Sequence, residues 1–271
     1  MTTAVVTDST TSLLPGYEER PDLRVVPLTF HFGPDETYTD KVDLTDEEFY
    51  ERLREAREFP TTSQPSVGAF VEAYEALDAY DDILVLTISR AFSGTYDSAV
   101  AAAQMVDRRV EVIDTRSAEM GSGLVLREAI QAIDRGADFE EVRRAAEAAV
   151  RRVKVFFAVG TLEYLAKSGR IGRAQRLVGT ALDIRPVLTI ENGEVVPFKR
   201  TRGRRRQMEA IAEQVRPAVE EGRTLFFGHV DAREALEELG RKLGIRDMLV
   251  ARIGGVVGCH VGPGAYGVAF L

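Results

Sequence analysis

Apolar and polar positions alternate along the chain in a way that separates short strands from amphipathic helices. TAVVTD (3–8) is a buried-strand pattern that ends on the polar cluster Asp8-Ser9-Thr10-Thr11. LRVVPLTFHF (23–32) reads as a second strand. DLTDEEFYERLREAR (43–57) reads as a helix opened by Thr45, with Glu48 three residues on completing a capping box. Ser66 can cap the next helix, whose apolar face is Phe70, Val71, Tyr74 and Leu77. DILVLTIS (82–89), GTYDSAVAAAQMV (94–106) and RVEVID (109–114) continue as strand, helix and strand, and two helices run to about Val153. Strands spaced by helices of this length predict a parallel sheet covered on both faces.

Beyond Val153 the pattern changes. VFFAVG leads into the short helix TLEYLAKSG and a connecting piece, RIGRAQRLVGTAL (170–182). RPVLTI and EVVPFKR flank Glu191-Asn192-Gly193 as a hairpin. Helix, strand, helix and terminal strands follow. The fold class expected is therefore α/β with two domains: a parallel-sheet, three-layer domain over 1–152 and a smaller mixed-sheet domain over 153–271. No internal repeat or low-complexity tract appears.

Composition narrows the function classes. The 271 residues are 45% hydrophobic and 29% charged, with a net charge of -8, which fits a globular protein with a sizeable core and argues against a dedicated nucleic-acid binder. A single cysteine, Cys259, excludes an internal disulfide and fits a reducing compartment. There is no secretory signal pattern and no apolar run of transmembrane length, so a cytoplasmic protein without an integral membrane segment is expected. No P-loop, G-x-S-x-G elbow, HExxH or metal-ligand spacing of His31, His229 and His260 occurs, so neither a cofactor nor a metal is expected. GPGAYG (262–267) matches a dinucleotide fingerprint in letters only, since no helix pattern follows it.

Three polar clusters fall just past strands or at helix starts, where an open α/β sheet places its ligands: TDST, PTTSQPS (60–66) and SRAFSGTY (89–96). Helix N-termini leave free N–H groups and a partial positive charge, suited to an anion. These hydroxyls also serve as ordinary helix caps. Cys259 reads as a small core residue. His260, in a Gly-rich turn, reads either as a donor to a nearby anion or as a structural histidine. KRTRGRRR (199–206) is a local basic patch on an acidic chain, either a solvated helix entry or a docking surface for an acidic partner.

TDST, TTSQPS, SGTY, FFAVGTLEYLAKSGRIG and GCHVGPGAYGVAF, in this order, resemble the DegV family of bacterial fatty-acid-binding proteins along nearly the whole chain. The resemblance implies two α/β domains with a long-chain fatty acid in a tunnel between them. It implies a carrier without catalysis that presents the acid to a separate ATP-dependent fatty acid kinase, which makes an acyl phosphate. By the same resemblance Thr62 and Ser93 hold the carboxylate, and Ser9 and His260 belong to a second tier of the network. Arg170 falls in a family motif and faces either the head group or the partner. Two other readings compete: a serine-dependent acyl hydrolase, with Ser93 or Ser9 as nucleophile and His260 as base, and a nucleic-acid or regulatory protein using Lys199–Arg206.

Overall fold

The computed structural model describes residues 2–177 and 185–271. Strands β1 (Thr3–Asp8), β2 (Leu23–Val26), β6 (Asp82–Thr87) and β7 (Arg109–Asp114) form a four-stranded parallel sheet in the order β2-β1-β6-β7. Both faces of β1 and β6 are buried, which explains their unbroken apolar runs. One face packs on α2 (Val67–Glu75) and α3 (Thr95–Ala103), through Ala4, Val6, Ile83 and Val85 against Phe70, Tyr74 and Ala99. The other packs on α4 (Met120–Asp134) and α5 (Phe139–Arg152), through Val5, Leu84 and Leu86. The expected three layers are present.

The second sheet has six strands in the order β10-β9-β8-β13-β11-β12. These are β8 (Lys154–Ala158), β9 (Val187–Glu191), β10 (Glu194–Lys199), β11 (Leu225–His229), β12 (Leu249–Arg252) and β13 (Tyr266–Phe270). Only β11 and β12 pair parallel, so the sheet is mixed as expected. Its outer face is covered by α7 (Gly203–Glu220) and α8 (Arg233–Leu243). The β9–β10 hairpin turns on Asn192 and Gly193, with φ of 52° and 84°, the paired positive values of a two-residue hairpin turn.

Helix α4 joins the two halves. Its inner end packs against β8, β11 and β13 while its flank covers β6. A Cβ on Gly123 would stand 2.3 Å from Ser12 O and 2.9 Å from the Phe226 ring, and one on Gly121 2.9 Å from Val155 Cγ2. Bare glycines let the helix approach that closely.

Three sequence expectations need correction. LRVVPLTFHF is not one strand: after β2 the chain changes sheets around Pro27, and β3 (Thr29–Phe32) belongs to a small antiparallel sheet, β4-β3-β5, with β4 (Glu36–Thr39) and β5 (Thr61–Ser63). PTTSQPS therefore contains a strand. The Gly-rich segment around His260 is a helix, α9 (Gly255–Val261), not a turn. Part of RIGRAQRLVGTAL lies outside the described residues. Its earlier part forms a 3₁₀ turn at Gly172–Leu177, following α6 (Glu163–Lys167). The helix starts at Thr45 and Ser66 are as expected: the Thr45 capping box with Glu48 opens α1 (Asp46–Glu55), and Ser66 Oγ accepts from Ala69 N.

Tyr50 of α1 is a polar tie between the halves. Its hydroxyl donates to His229 O at 3.1 Å and lies 3.2 Å from Ile253 O, in a buried position. Removing that hydroxyl with Tyr50→Phe takes a donor from Ile253 O, while His229 O still accepts from Ile253 N at 2.9 Å, so a loss of ~1–3 kcal/mol in unfolding free energy is expected by denaturant titration. An unchanged midpoint would mean the tie contributes nothing to stability.

Candidate functional site

A cavity of about 370 Å³ lies between the two sheets, lined by residues of both halves. Most of its wall is apolar, with Leu28, Met120, Val155, Phe157, Ile253 and Val256 among the lining residues. One end is polar and contains Thr62, Gln64, Ser93, Arg170 and His260. Volumes of ~300–1,000 Å³ with a few polar groups on an apolar lining are typical of small-molecule sites.

Local structure explains why these side chains meet. Thr62 is the middle residue of β5 and pairs with Phe30 of β3. Ser93 precedes Gly94, the residue that opens α3. Gln64 fastens these two segments together: its Nε2 donates to Gly94 O at 3.2 Å and to Ser98 Oγ at 2.9 Å. A Cβ at Gly94 would stand 2.2 Å from Gln64 Oε1, so glycine leaves room for the clamp. Ser93 Oγ lies 2.8 Å from Thr95 Oγ1 and accepts from Thr95 N at 3.3 Å.

His260 arrives from the other half of the chain on α9. Its Nε2 is 2.9 Å from Thr62 Oγ1, while its buried Nδ1 has no partner. Burial, and after it the charge of Arg170, pushes the imidazole down to about 4, so it is neutral near pH 7. Arg170 is anchored by Nε to Phe92 O at 3.0 Å and by Nη1 to Ser168 O at 2.6 Å. Arg170 thus lies beside the Ser93 loop and lines the cavity.

Ser9 is placed behind this group and is not a lining residue. Its hydroxyl donates to Asp40 Oδ2 at 2.7 Å and accepts from Leu28 N at 3.1 Å. Asp40 Oδ1 in turn accepts from Val256 N in the first turn of α9, at 3.3 Å. The chain Ser9–Asp40–α9 therefore fixes the helix that carries His260. Burial raises the Asp40 carboxyl above the ordinary range. The rest of TDST folds on itself: Asp8 accepts from Thr10 N at 3.0 Å, Thr10 Oγ1 at 2.5 Å and Ile88 N at 2.7 Å. Of the three polar clusters, only PTTSQPS and SRAFSGTY reach the cavity.

Ser93 is bonded to Thr95 and not to His260, and no carboxylate orients His260 Nδ1. Cys259 is buried, and burial raises its thiol well above the ordinary range, as suits a core residue. No group of metal-ligating side chains occurs among the described residues, and no helix of theirs is long and apolar enough to cross a membrane.

Sequence reasoning missed Glu119. It lines the cavity, is buried, and holds φ 48° at the start of α4. Ser12 Oγ donates to its Oε2 at 2.6 Å, while Oε1 has no partner. Nothing in SAEMGSG marks it, because only the tertiary fold buries that carboxyl.

The DegV family model, described as "Uncharacterised protein, DegV family", matches residues 2–271. A fatty acid-binding protein of Thermotoga maritima is 36% identical over 282 residues, covering 98% of this chain and 96% of that protein. A solved DegV family structure from Thermus thermophilus, described for its fatty acid binding, has a TM-score of 0.91 at 37% identity and covers 100% of this chain and 99% of that one. A stearic acid-binding protein of Eubacterium ventriosum has a TM-score of 0.87 at 26% identity, covering 100% of this chain and 98% of that one.

Burial raises Glu119 from 4.5 to about 7. Across that window the folded chain holds a proton that the unfolded chain has released, so this group makes stability fall as pH rises from about 4.5 to about 7. Glu119→Gln, which cannot titrate, should flatten that slope in urea midpoints measured across the window. Identical slopes in both proteins would show that Glu119 is ionised throughout.

Proposed function

This chain belongs to the DegV family, and on that premise we propose that it carries one long-chain fatty acid in the cavity between residues 1–152 and 153–271, acting as two domains. The observation that supports this reading is one cavity whose lining is mostly apolar and also holds Thr62, Ser93, His260 and Arg170. A tail of about fourteen methylenes buried at ~0.8 kcal/mol each contributes roughly 11 kcal/mol before ordering costs. Affinity then resides in the tail, and the polar end sets orientation.

Thr62 and Ser93 donate to the carboxylate in this reading. Neutral His260 holds Thr62 through the 2.9 Å contact, and Ser9 acts at one remove through Asp40 and α9. Arg170 adds the only formal cation among the lining residues. The guanidinium supplies long-range charge while the hydroxyls fix the geometry. The protein is a carrier rather than an enzyme, since it provides binding groups without an assembled nucleophile and base.

Extraction and mass spectrometry of the purified protein should give a long-chain fatty acid near one per chain. Thr62→Ala and Ser93→Ala should each weaken binding of the acid by ~1–3 kcal/mol while the methyl ester loses less, because only the acid offers a charged acceptor. Equal losses for acid and ester would reassign both hydroxyls as structural caps.

We further propose presentation of the bound acid to a separate ATP-dependent fatty acid kinase. The motif that would supply ATP is missing from this sequence, so acyl phosphate formation requires a second protein. Exposed Arg200, Arg202 and Arg205 lie outside the cavity lining and form a positive surface on a chain of net charge -8. Such a surface raises encounter rates with an acidic partner and weakens with salt. Replacing these three arginines by Ala should leave bound fatty acid unchanged and slow acyl phosphate formation at subsaturating carrier. Lost lipid, or undiminished turnover, would remove the docking role.

A further inference from the structure

A second cavity, of about 640 Å³, opens at one edge of the six-stranded sheet, beyond the carboxyl ends of β8, β11 and β12. That edge is where α/β sheets accept ligands. Arg252, His229 and Tyr266 stand in one row across β12, β11 and β13, since His229 is paired directly with both of the others. Directly opposed residues share a sheet face with Cβ atoms ~5 Å apart. Along β11 and β13 that face is the one that packs on α7 and α8, opposite the face that carries Phe226 and Ala269 into the core between the sheets.

Two buried donors in this row have no partner. His229 and Tyr266 are 3% and 4% exposed, and neither His229 Nε2 nor Tyr266 Oη is hydrogen-bonded. The His229 tautomer follows from its other nitrogen: Nδ1 accepts from Ala232 N at 3.3 Å, so the proton of the neutral ring sits on Nε2. Burial keeps the imidazole neutral and raises the phenol to about 12, so both groups present N–H and O–H near pH 7. An unpaired buried donor lowers stability. Two side by side indicate an acceptor that the chain does not provide.

The surroundings carry both signs, with Arg233 ion-paired to Glu237 and Arg252 to Asp46 and Glu47. Arg185, Arg204, Arg233 and Arg252 line the cavity, together with the first turn of α8, an 11-residue helix whose N-cap, Ala232, supplies no side-chain cap. Its acidic members include Glu47 and Asp231, ion-paired with Arg252 and Arg54, and Glu234 in the first turn of α8. Arg204 reaches its nearest carboxylate, Glu238, only at 3.9 Å. Donors, guanidinium groups and a helix N-terminus together suit a multi-oxygen anion.

From this geometry we propose that the edge cavity, which shares only Tyr266 with the lining of the acyl cavity, is a second ligand site that binds the phosphate group of a small soluble phosphate monoester. His229 Nε2 and Tyr266 Oη donate to its oxygens, and Arg204 supplies charge. The cavity is larger than inorganic phosphate needs, which leaves room for the organic part of the monoester.

Calorimetric titration with inorganic phosphate and with glycerol 3-phosphate, on protein of measured fatty acid content, tests the proposal. Saturable binding near one per chain is expected, tighter for the monoester, with a shift of the His229 Nε2 resonance in nitrogen-detected NMR. Tyr266→Phe should weaken binding by ~tenfold yet leave the melting temperature in phosphate-free buffer equal or higher, because it removes an unsatisfied hydroxyl. A hydroxyl with a purely structural role would lower it. Arg204→Gln should weaken binding and reduce its salt dependence without changing fatty acid content, so failure here is distinguishable from failure of the carrier reading. Absence of saturable binding for both phosphates, or equal binding by wild type and both variants, would overturn the proposal. Binding to phosphatidylglycerol vesicles that depends on Tyr266, without uptake of soluble phosphates, would overturn the assignment to a soluble ligand.

Discussion

The close burial of α4 between two sheets is the constraint on which the structure depends. A helix that covers one sheet ordinarily turns its other side to water. Here Leu124 and Met120 enter the core shared with the second sheet, while Val125, Leu126, Ala129 and Ile130 enter the core of the first. Gly121 and Gly123 allow the contact at Val155, Ser12 and Phe226. The apolar cavity lies at the N-terminal end of α4, with Ala118, Glu119 and Met120 forming part of its wall.

Polar groups fix the end of that cavity through contacts of long sequence separation. Gln64 clamps the Thr62 segment to the start of α3, and Asp40 joins Ser9 to α9. His260 closes the set on Thr62 across 198 residues. Apart from the exposed Gln64–Gly94 bond, these are buried or half-buried, where a missing partner costs ~1–3 kcal/mol. The polar end is therefore held in place by the fold itself, and preorganisation of this kind favours affinity.

Both cavities offer neutral donors backed by arginine at some distance from the ligand. His260 and His229 are each kept unprotonated by burial and by a neighbouring guanidinium, Arg170 in one case and Arg252 in the other. The linings differ: the first is largely apolar around its polar end, and the second mixes charged groups of both signs with Val159, Ala232 and Ala235.

Local pattern determined much of this protein. The parallel strands β1 and β6 show apolar runs, the helix starts at Thr45 and Ser66 show caps, and Asn192-Gly193 shows the hairpin, because each signal is carried by residues adjacent in sequence. Thr62, Ser93 and His260 were also legible, through motifs in a fixed order, and the structure brings all three to one cavity. What tertiary structure decided lies between distant segments. Pro27 sends the chain from one sheet to another, TDST turns inward on Asp8, and the segment of His260 becomes a helix because Asp40 caps it. Arg170 acquired a direction only once Phe92 and Ser168 offered carbonyls to hold it. Glu119 and the row of Arg252, His229 and Tyr266 leave no trace in the sequence. Burial and cross-strand register are properties of packed neighbours, and no local pattern of residues encodes them.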